Sequence, residues 1–147
     1  MLDNYYTGVP LDPYSRTEKG GGMNFDESIP IYLQIKEEIE NAIITSSIKE
    51  EEAIPSIRSL AQQYRLNPQT ISNAVGELLN EGVLYKKRGI GMFVQSGAQR
   101  KLVDHKRNEF LNEELIRIFR QSRNLGITKD SLISVIDKVY KEGGSNE

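Results

Sequence analysis

Hydrophobic positions with a helical period dominate the chain from residue 30 onward. Isoleucines recur every four residues behind Pro30, which suits the first turn of a helix because its missing N–H costs nothing there: Ile31, Ile35, Ile39 and Ile43. A second stripe follows Ser56, a residue type that caps helices, and its inward positions are Ile57, Leu60, Ala61 and Tyr64. The pattern predicts two amphipathic helices in succession.

A third helix is predicted directly after a short interruption. The run 65–67 breaks the second stripe, Asn67 can cap a helix, and Pro68 can open one. Gly82 is expected to stop this helix, and its buried stripe is expected to be Ile71, Val75, Leu78 and Leu79. Two helices joined by so short a turn form a helix-turn-helix, whose second helix can enter a DNA major groove.

Two short β-prone runs follow, from Val83 to Lys87 and from Met92 to Val94. The loop between them, residues 88–91, contains glycine and permits a hairpin, or wing. The tip is basic, and two glycines allow its backbone to approach a phosphate strand or a narrow minor groove; these tip residues are Lys86, Lys87, Arg88, Gly89 and Gly91. A basic tip in this position favours nucleic-acid binding.

The last third of the chain is predicted to form two further helices. The first runs from about Leu102 to Leu125-Gly126, and its apolar side comprises Phe110, Leu111, Leu115, Ile118 and Phe119. The second is capped by Thr128 and closed by Gly143-Gly144, and its stripe comprises Leu132, Ile136, Val139 and Tyr140. Two such helices have little core of their own, so we expect their apolar faces to pair with a second copy in a homodimer.

These elements predict a mainly α fold with a small β-hairpin. Residues 1–22 contain proline and glycine without an apolar period, and are expected to be a flexible tail or a non-native extension. Residues 23–97 are expected to form a winged helix-turn-helix DNA-binding domain. Residues 98–147 are expected to form a short C-terminal two-helix dimerisation element.

The charge distribution modifies the first impression from the net charge. The net charge is −2, which alone argues weakly against a nucleic-acid partner. Residues 23–53 carry eight acidic and two basic side chains, whereas residues 86–107 carry seven Lys or Arg and only Asp104 as an acid. A net-acidic chain can therefore present one basic face. The acidic run Glu50 to Glu52 is expected to be a solvated loop, with a role against wrong docking as the alternative.

Composition excludes several classes of protein. The chain has no cysteine and no apolar run near the roughly 20 residues that span a bilayer, so a cytoplasmic location is expected. The single histidine, His105, lies in a basic stretch without a paired carboxylate or thiol. No phosphate-binding fingerprint occurs. Enzyme activity, a cofactor and a metal site are therefore not expected.

Three motifs together resemble the GntR family of bacterial regulators. They are PSIRSLA at 55–61, NPQTI at 67–71 and RGIGMFV at 88–94, and the similarity covers residues 29–95. The short two-helix C-terminal part is similar to the YtrA-like subfamily, which comprises compact repressors often concerned with transport operons. The resemblance implies a sequence-specific transcription regulator, a repressor that binds a palindromic operator as a homodimer.

The resemblance also implies which side chains face DNA. Arg58, Gln69, Thr70 and Ser72 or Asn73 would face the duplex, and Arg88 and Gly89 would approach its backbone or minor groove. Asn67, Lys86, Lys87 and Gly91 complete the candidate set. Arginine can pair with phosphate in bidentate fashion, and a glutamine amide matches an adenine edge. For Thr70 a role in supporting the helix start, and for Ser72 simple solvation, remain alternatives.

Several positions depart from the family pattern. Ser47 and Glu51 stand where the family usually has glycine, which predicts an altered turn before Pro55. Asn73 stands where short members often have lysine, so the segment 68–81 contains no Lys or Arg. Attraction to DNA would then come from Arg58, Arg65 and the wing. We expect a modest salt dependence, with about three to five phosphates neutralised per subunit.

Two alternatives bear on the functional interpretation. A winged helix can also serve as a protein-interaction module without nucleic acid, although Arg58, Gln69 and the basic wing argue against this. Only about 50 residues follow the wing, which makes a deep effector pocket doubtful. A small-molecule effector, if one acts, is expected between the C-terminal helices and the dimer seam.

Overall fold

The computed structural model describes residues 25–144. The expected tail over residues 1–22 lies outside this range. The chain divides into two compact units, the first ending at Asp104 and the second beginning at His105. Among residues 25–144, every helix is either too short or too polar to span a bilayer.

The first unit is mainly helical and carries one two-stranded antiparallel hairpin, so the predicted fold class is confirmed. Its elements in chain order are α1 (Ile31–Ile44), α2 (Ile57–Tyr64), α3 (Pro68–Asn80), β1 (Leu84–Lys87), β2 (Gly91–Val94) and the start of α4 (Ala98–Glu109). The turn between α2 and α3 is three residues long, 65–67, as a helix-turn-helix requires.

The core of the first unit lies between α1, α2, α3 and the hairpin. Its fully buried side chains are Ile35, Ile39, Ile43, Leu60, Ile71, Val75, Leu78, Val83 and Val94. Burial of each side chain of this kind stabilises the fold by about 1.5–3 kcal/mol. The expected stripes are largely confirmed, but Ile31, the first residue of α1, is 40% exposed.

Capping side chains determine where α2 and α3 begin. The Ser56 hydroxyl accepts a hydrogen bond from the Ser59 backbone N–H at 3.1 Å. The Asn67 side-chain oxygen accepts one from the Gln69 N–H at 2.8 Å, and Pro68 is the first residue of α3. Both caps agree with the prediction, and each typically contributes about 1 kcal/mol.

Gly82 ends α3 in the left-handed conformation, with φ of 72°. Its N–H donates to the Leu79 carbonyl at 3.2 Å, and the N–H of Val83 donates to the Leu78 carbonyl at 2.9 Å. This pair of bonds is a Schellman motif. Because it engages Val83, β1 begins one residue later than predicted, at Leu84.

The hairpin pairs Tyr85 with Phe93 and Lys87 with Gly91. The second strand begins at Gly91 rather than at Met92, so the loop is the three residues 88–90 instead of four. A further backbone segment lies along β2, since the N–H of Glu51 donates to Val94 at 2.8 Å and that of Ile54 donates to Met92 at 2.9 Å. The base of the wing is therefore held on both edges of β2.

The acidic run lies in a turn and is largely exposed, as expected, but its carboxylates also accept hydrogen bonds from neighbouring groups. The carboxylate of Glu51 accepts the Tyr85 hydroxyl at 2.6 Å, and that of Glu52 accepts the Lys49 N–H at 3.0 Å. The carboxylate of Glu50 accepts the N–H of Gln99 at 3.2 Å. This last bond supplies an acceptor to the first turn of α4, which therefore starts at Ala98 rather than near Leu102.

The turn before Pro55 keeps left-handed residues although it has no glycine. They are Ser46, with φ of 59°, and Glu51, with φ of 66°, so the first of them lies one residue before the expected Ser47. A left-handed residue other than glycine costs about 1–2 kcal/mol. Hydrogen bonds offset part of this cost, because the Ser46 hydroxyl accepts the Gln99 amide at 2.9 Å and Glu51 holds Tyr85.

The second unit contains the remainder of α4, then α5 (Leu115–Asn124) and α6 (Lys129–Gly143). A π-helical segment, Phe110–Glu114, joins α4 to α5 and was not predicted. Here the N–H of Leu115 donates to the Phe110 carbonyl, a five-residue step in place of the four-residue step of an α-helix. The cap of α6 agrees with the prediction, since Thr128 accepts the Ser131 N–H at 3.2 Å.

Candidate nucleic-acid interface

The first turns of α3 present two exposed amides, Gln69 and Asn73. They lie one helical turn apart, and the Gln69 Nε2 donates to the Asn73 Oδ1 at 3.0 Å. This bond orients both side chains and leaves the Gln69 carbonyl and the Asn73 amino group without a partner among residues 25–144. An outward acceptor and donor in fixed relation are suited to reading base edges.

The other candidate DNA-binding residues at the start of α3 differ in whether their side chains are already hydrogen-bonded. Thr70 and Ser72 are half-buried, and neither hydroxyl is bonded to another described side chain or backbone group. The Asn67 oxygen is used by the helix cap, which leaves its amino group for a phosphate. The structural alternatives for Thr70 and Ser72 therefore stay open.

Two arginines lie at the two ends of α2. Arg58 is exposed in the first turn of α2 and forms no ion pair within residues 25–144. Arg65 occupies the turn itself in the left-handed conformation, with φ of 55°, and ends α2. Because α3 contains no Lys or Arg, positive charge must come from its neighbours along the chain, which are these two arginines on one side and the basic wing on the other.

The three basic residues of the wing do not share one environment. Lys86 lies on the hairpin face of Leu84 and Met92, whereas Lys87 lies on the opposite face with Tyr85 and Phe93, as the register requires. The Lys87 ammonium is 4.3 Å from the Phe93 ring centre and 5.7 Å from that of Tyr85. Arg88 continues into the exposed loop.

The outer face of the wing was missed by sequence reasoning. The Tyr85 and Phe93 rings are stacked, with centres 5.8 Å apart, and the Tyr85 hydroxyl bonds to Glu51. This hydrogen bond, more than desolvation, raises the pKa of Tyr85 above its ordinary value of 10.0. Alternation along the strands signals that the two rings share a face, but the partner carboxylate lies 34 residues away and has no local signal.

The wing glycines adopt conformations that other residues avoid. Gly89 has φ of 77° and Gly91 has φ of 146°. A Cβ atom at either position would meet nothing within 4 Å, so the chain's own packing does not require glycine there. The backbone conformation at both positions does require glycine. Without a side chain there, the tip is also open to a close partner.

The predicted pairing residues lie on the second unit with their side chains partly or largely exposed. Phe110, Leu111, Ile118, Ile136 and Val139 each keep more than two fifths of their surface exposed. Leu115, Phe119 and Leu132 are half-buried. On α6 the apolar positions occupy one broad face, and Asp130, Ser134, Asp137 and Lys141 occupy the other.

The chain is similar to known transcription regulators over most of its length. The family model described as "Bacterial regulatory proteins, gntR family" matches residues 31–94. HTH-type transcriptional regulator YhcF of Bacillus subtilis is 32% identical over 120 residues, which are 82% of this chain and 97% of that protein. HTH-type transcriptional repressor YtrA of the same bacterium is 30% identical over 123 residues, which are 82% and 94% of the two chains.

A solved structure agrees with these relatives. A GntR family transcriptional regulator from Listeria monocytogenes superposes with a TM-score of 0.63 at 29% identity, over 78% of this chain and 98% of that one. These proteins are transcription regulators rather than enzymes. The predicted resemblance to the GntR family is confirmed, and so is the prediction of a regulator rather than an enzyme. The winged helix-turn-helix, its motifs and these relatives together show that the chain is a DNA-binding transcription regulator of the GntR family.

Proposed function

We propose that this regulator is a cytoplasmic repressor that binds a palindromic operator as a homodimer. The observation that carries the proposal is the exposed Gln69–Asn73 amide pair at the start of α3. The motif that contains Arg58 precedes this pair in the sequence, and the basic wing follows it. In this arrangement α3 lies in a major groove and the wing contacts the flanking backbone or minor groove.

Base reading falls mainly to the amide pair. A glutamine amide can bond adenine through N6 and N7, and the hydrogen bond to Asn73 restricts the rotation of Gln69 before DNA arrives. Less side-chain freedom is then lost on binding, which strengthens the contact. Thr70 and Ser72 contribute phosphate or thymine-methyl contacts on the same face.

Phosphate neutralisation falls to side chains outside α3. Arg58 and Arg88 are exposed and have no ion-pair partner within residues 25–144, so neither must break a contact with a described residue to bind phosphate. With Arg65 and Lys86 they account for about three to five neutralised phosphates per subunit.

Dimerisation falls to the second unit. Several large apolar side chains on α5, α6 and the π-helical segment are exposed, and a contiguous apolar face of this kind is uncommon on a monomer. A second copy supplies an identical apolar face, and two-fold pairing closes the assembly. Two copies of α3 would then reach half-sites about one helical turn apart.

The proposed mode of regulation is repression, as in the YtrA-like subfamily that the chain resembles. The dimer would occlude a promoter, and the resemblance points to a transport operon as its target. An effector, if present, would bind between the C-terminal helices and the dimer seam, where it can change half-site spacing. Ligand-dependent stabilisation in a thermal-shift screen would support this, and its absence across a broad metabolite set would contradict it.

A titration of promoter DNA from the protein's own operon tests the proposal. Arg58→Ala and Arg88→Ala are expected to weaken binding about tenfold each, in line with lost charged contacts. Arg100→Ala is the matched control, because Arg100 is exposed on α4 and pairs with Asp104 at 3.8 Å. If the wild type and all three variants bind alike, the DNA face is wrongly assigned, and a protein-interaction module becomes the better interpretation.

A further inference from the structure

Ile90 stands at the tip of the wing with 74% of its surface exposed. No other large hydrophobic residue between Phe25 and Asp104 is exposed to this extent. Single exposed hydrophobic side chains are common on protein surfaces, so exposure alone decides nothing. The placement of this side chain between two structurally demanding glycines is the informative feature.

The tip is held in a defined conformation. Gly89 and Gly91 have φ of 77° and 146°, and the Ile90 N–H donates to the Lys87 carbonyl at 3.0 Å. The Ile90 side chain is consequently directed outward by its backbone and takes no part in the core cluster. Its aliphatic surface is therefore presented to whatever meets the wing.

The chemistry of the tip consists of one aliphatic and one guanidinium group. Lys87 is directed to the outer face by Phe93, with 4.3 Å between its ammonium and the ring centre. Arg88 is exposed and has no ion-pair partner within residues 25–144. An isoleucine beside an arginine cannot hydrogen-bond base edges through its own side chain, so it discriminates by shape and desolvation.

We propose, on the basis of the DNA-binding function above, that Ile90 packs into the minor groove beside each half-site and selects A·T pairs there. Guanine places its N2 amino group in the minor groove, and an aliphatic side chain over it displaces water without offering an acceptor. A·T pairs lack this group.

The test uses operator duplexes that differ only at the base pairs beneath the wing. These pairs are A·T, G·C or inosine·cytosine, the last having the major groove of G·C without the N2 amino group. The full-length protein is expected to bind the A·T and inosine·cytosine duplexes alike and the G·C duplex about tenfold more weakly. Equal binding of all three duplexes overturns the proposal.

Two variants assign the discrimination to the side chain. Ile90→Ser should bring the three affinities within about twofold of one another, because the apolar contact is lost while the core is untouched. Ile29→Ser, a matched change at another exposed isoleucine, should keep the full discrimination. Discrimination that survives Ile90→Ser overturns the assignment. Failure of the wild type to bind any of the duplexes instead removes the proposed operator function itself.

Discussion

The Lys87 ammonium lies 4.3 Å from the centre of the Phe93 ring, on the face of the wing opposite Lys86. A cation over an aromatic face is stabilised by about 0.5–1 kcal/mol at an exposed site. Two adjacent lysines of the same wing therefore differ in how readily they can leave their present positions. Lys86 lies over no aromatic ring among residues 25–144, so we expect it to be the better phosphate ligand.

This difference predicts unequal salt dependence for two matched variants. Lys86→Met should reduce the magnitude of the log–log salt slope of operator binding by about one per subunit, because one phosphate is no longer neutralised. Lys87→Met should leave the slope unchanged and lower the melting temperature slightly. Binding titrations over a range of salt concentrations measure both, and an equal loss of slope in the two variants would show that Lys87 also leaves Phe93 for phosphate.

The Gln69–Asn73 amide pair predicts a loss of sequence discrimination. Gln69→Ala should reduce the preference for the correct base by about 1–3 kcal/mol at a single operator position and leave the salt slope unchanged. Affinities for an operator and its single-base variants measure this preference. Gln62→Ala is the control, since Gln62 is an exposed glutamine on α2. Equal loss at every operator position would mean that Gln69 only supports α3.

The Tyr85–Glu51 hydrogen bond predicts an alkaline transition at the wing. The bond raises the pKa of Tyr85, so its contribution to stability is present below the ordinary value of 10.0 and is lost as the pH rises through the raised folded-state pKa. Phenolate absorbance of Tyr85→Phe, subtracted from that of the wild type, isolates this group. Glu51→Gln should return the pKa of Tyr85 toward its ordinary value, and an unchanged titration would show that the bond is not formed in solution.

The exposed apolar face of the second unit predicts a dimer that one charge can split. Ile118→Glu should give a monomer of 16.7 kDa by light scattering after gel filtration, because a buried unpaired carboxylate opposes pairing. Loss of paired half-site binding should then weaken operator affinity by at least about 100-fold. Gln121→Glu adds the same charge at an exposed position of the same helix and should remain dimeric. A monomeric wild type would refute the pairing assignment.

Elements of the fold that depend on neighbouring residues could be predicted from the sequence. The Asn67 cap, the Pro68 start and the Gly82 stop act within a few residues of one another, so α3 was placed correctly apart from its last residue. The first wing strand begins one residue later than predicted, because the Schellman bond engages Val83, and the second begins one residue earlier, at Gly91.

Features that depend on distant residues could not be predicted. The Glu50–Gln99 bond joins positions 49 residues apart. The start of α4 depends on this bond and could not be predicted either. The separate environments of Lys86 and Lys87 follow from the register of Tyr85 opposite Phe93, which hydrophobic alternation alone leaves open by one residue. The candidate DNA-binding residues could be named from the sequence motifs, because recognising a motif requires only the types of its residues and the spacing between them.

Hydroxyl-radical footprinting of the full-length protein on its own promoter tests the central claim most directly. A dimer that places two α3 helices in successive major grooves predicts two protected segments, related by two-fold symmetry and about one helical turn apart. Arg88→Ala should remove protection at the outer edge of each segment and leave the inner part. A single protected segment, or protection without two-fold symmetry, would contradict the proposed mode of operator binding.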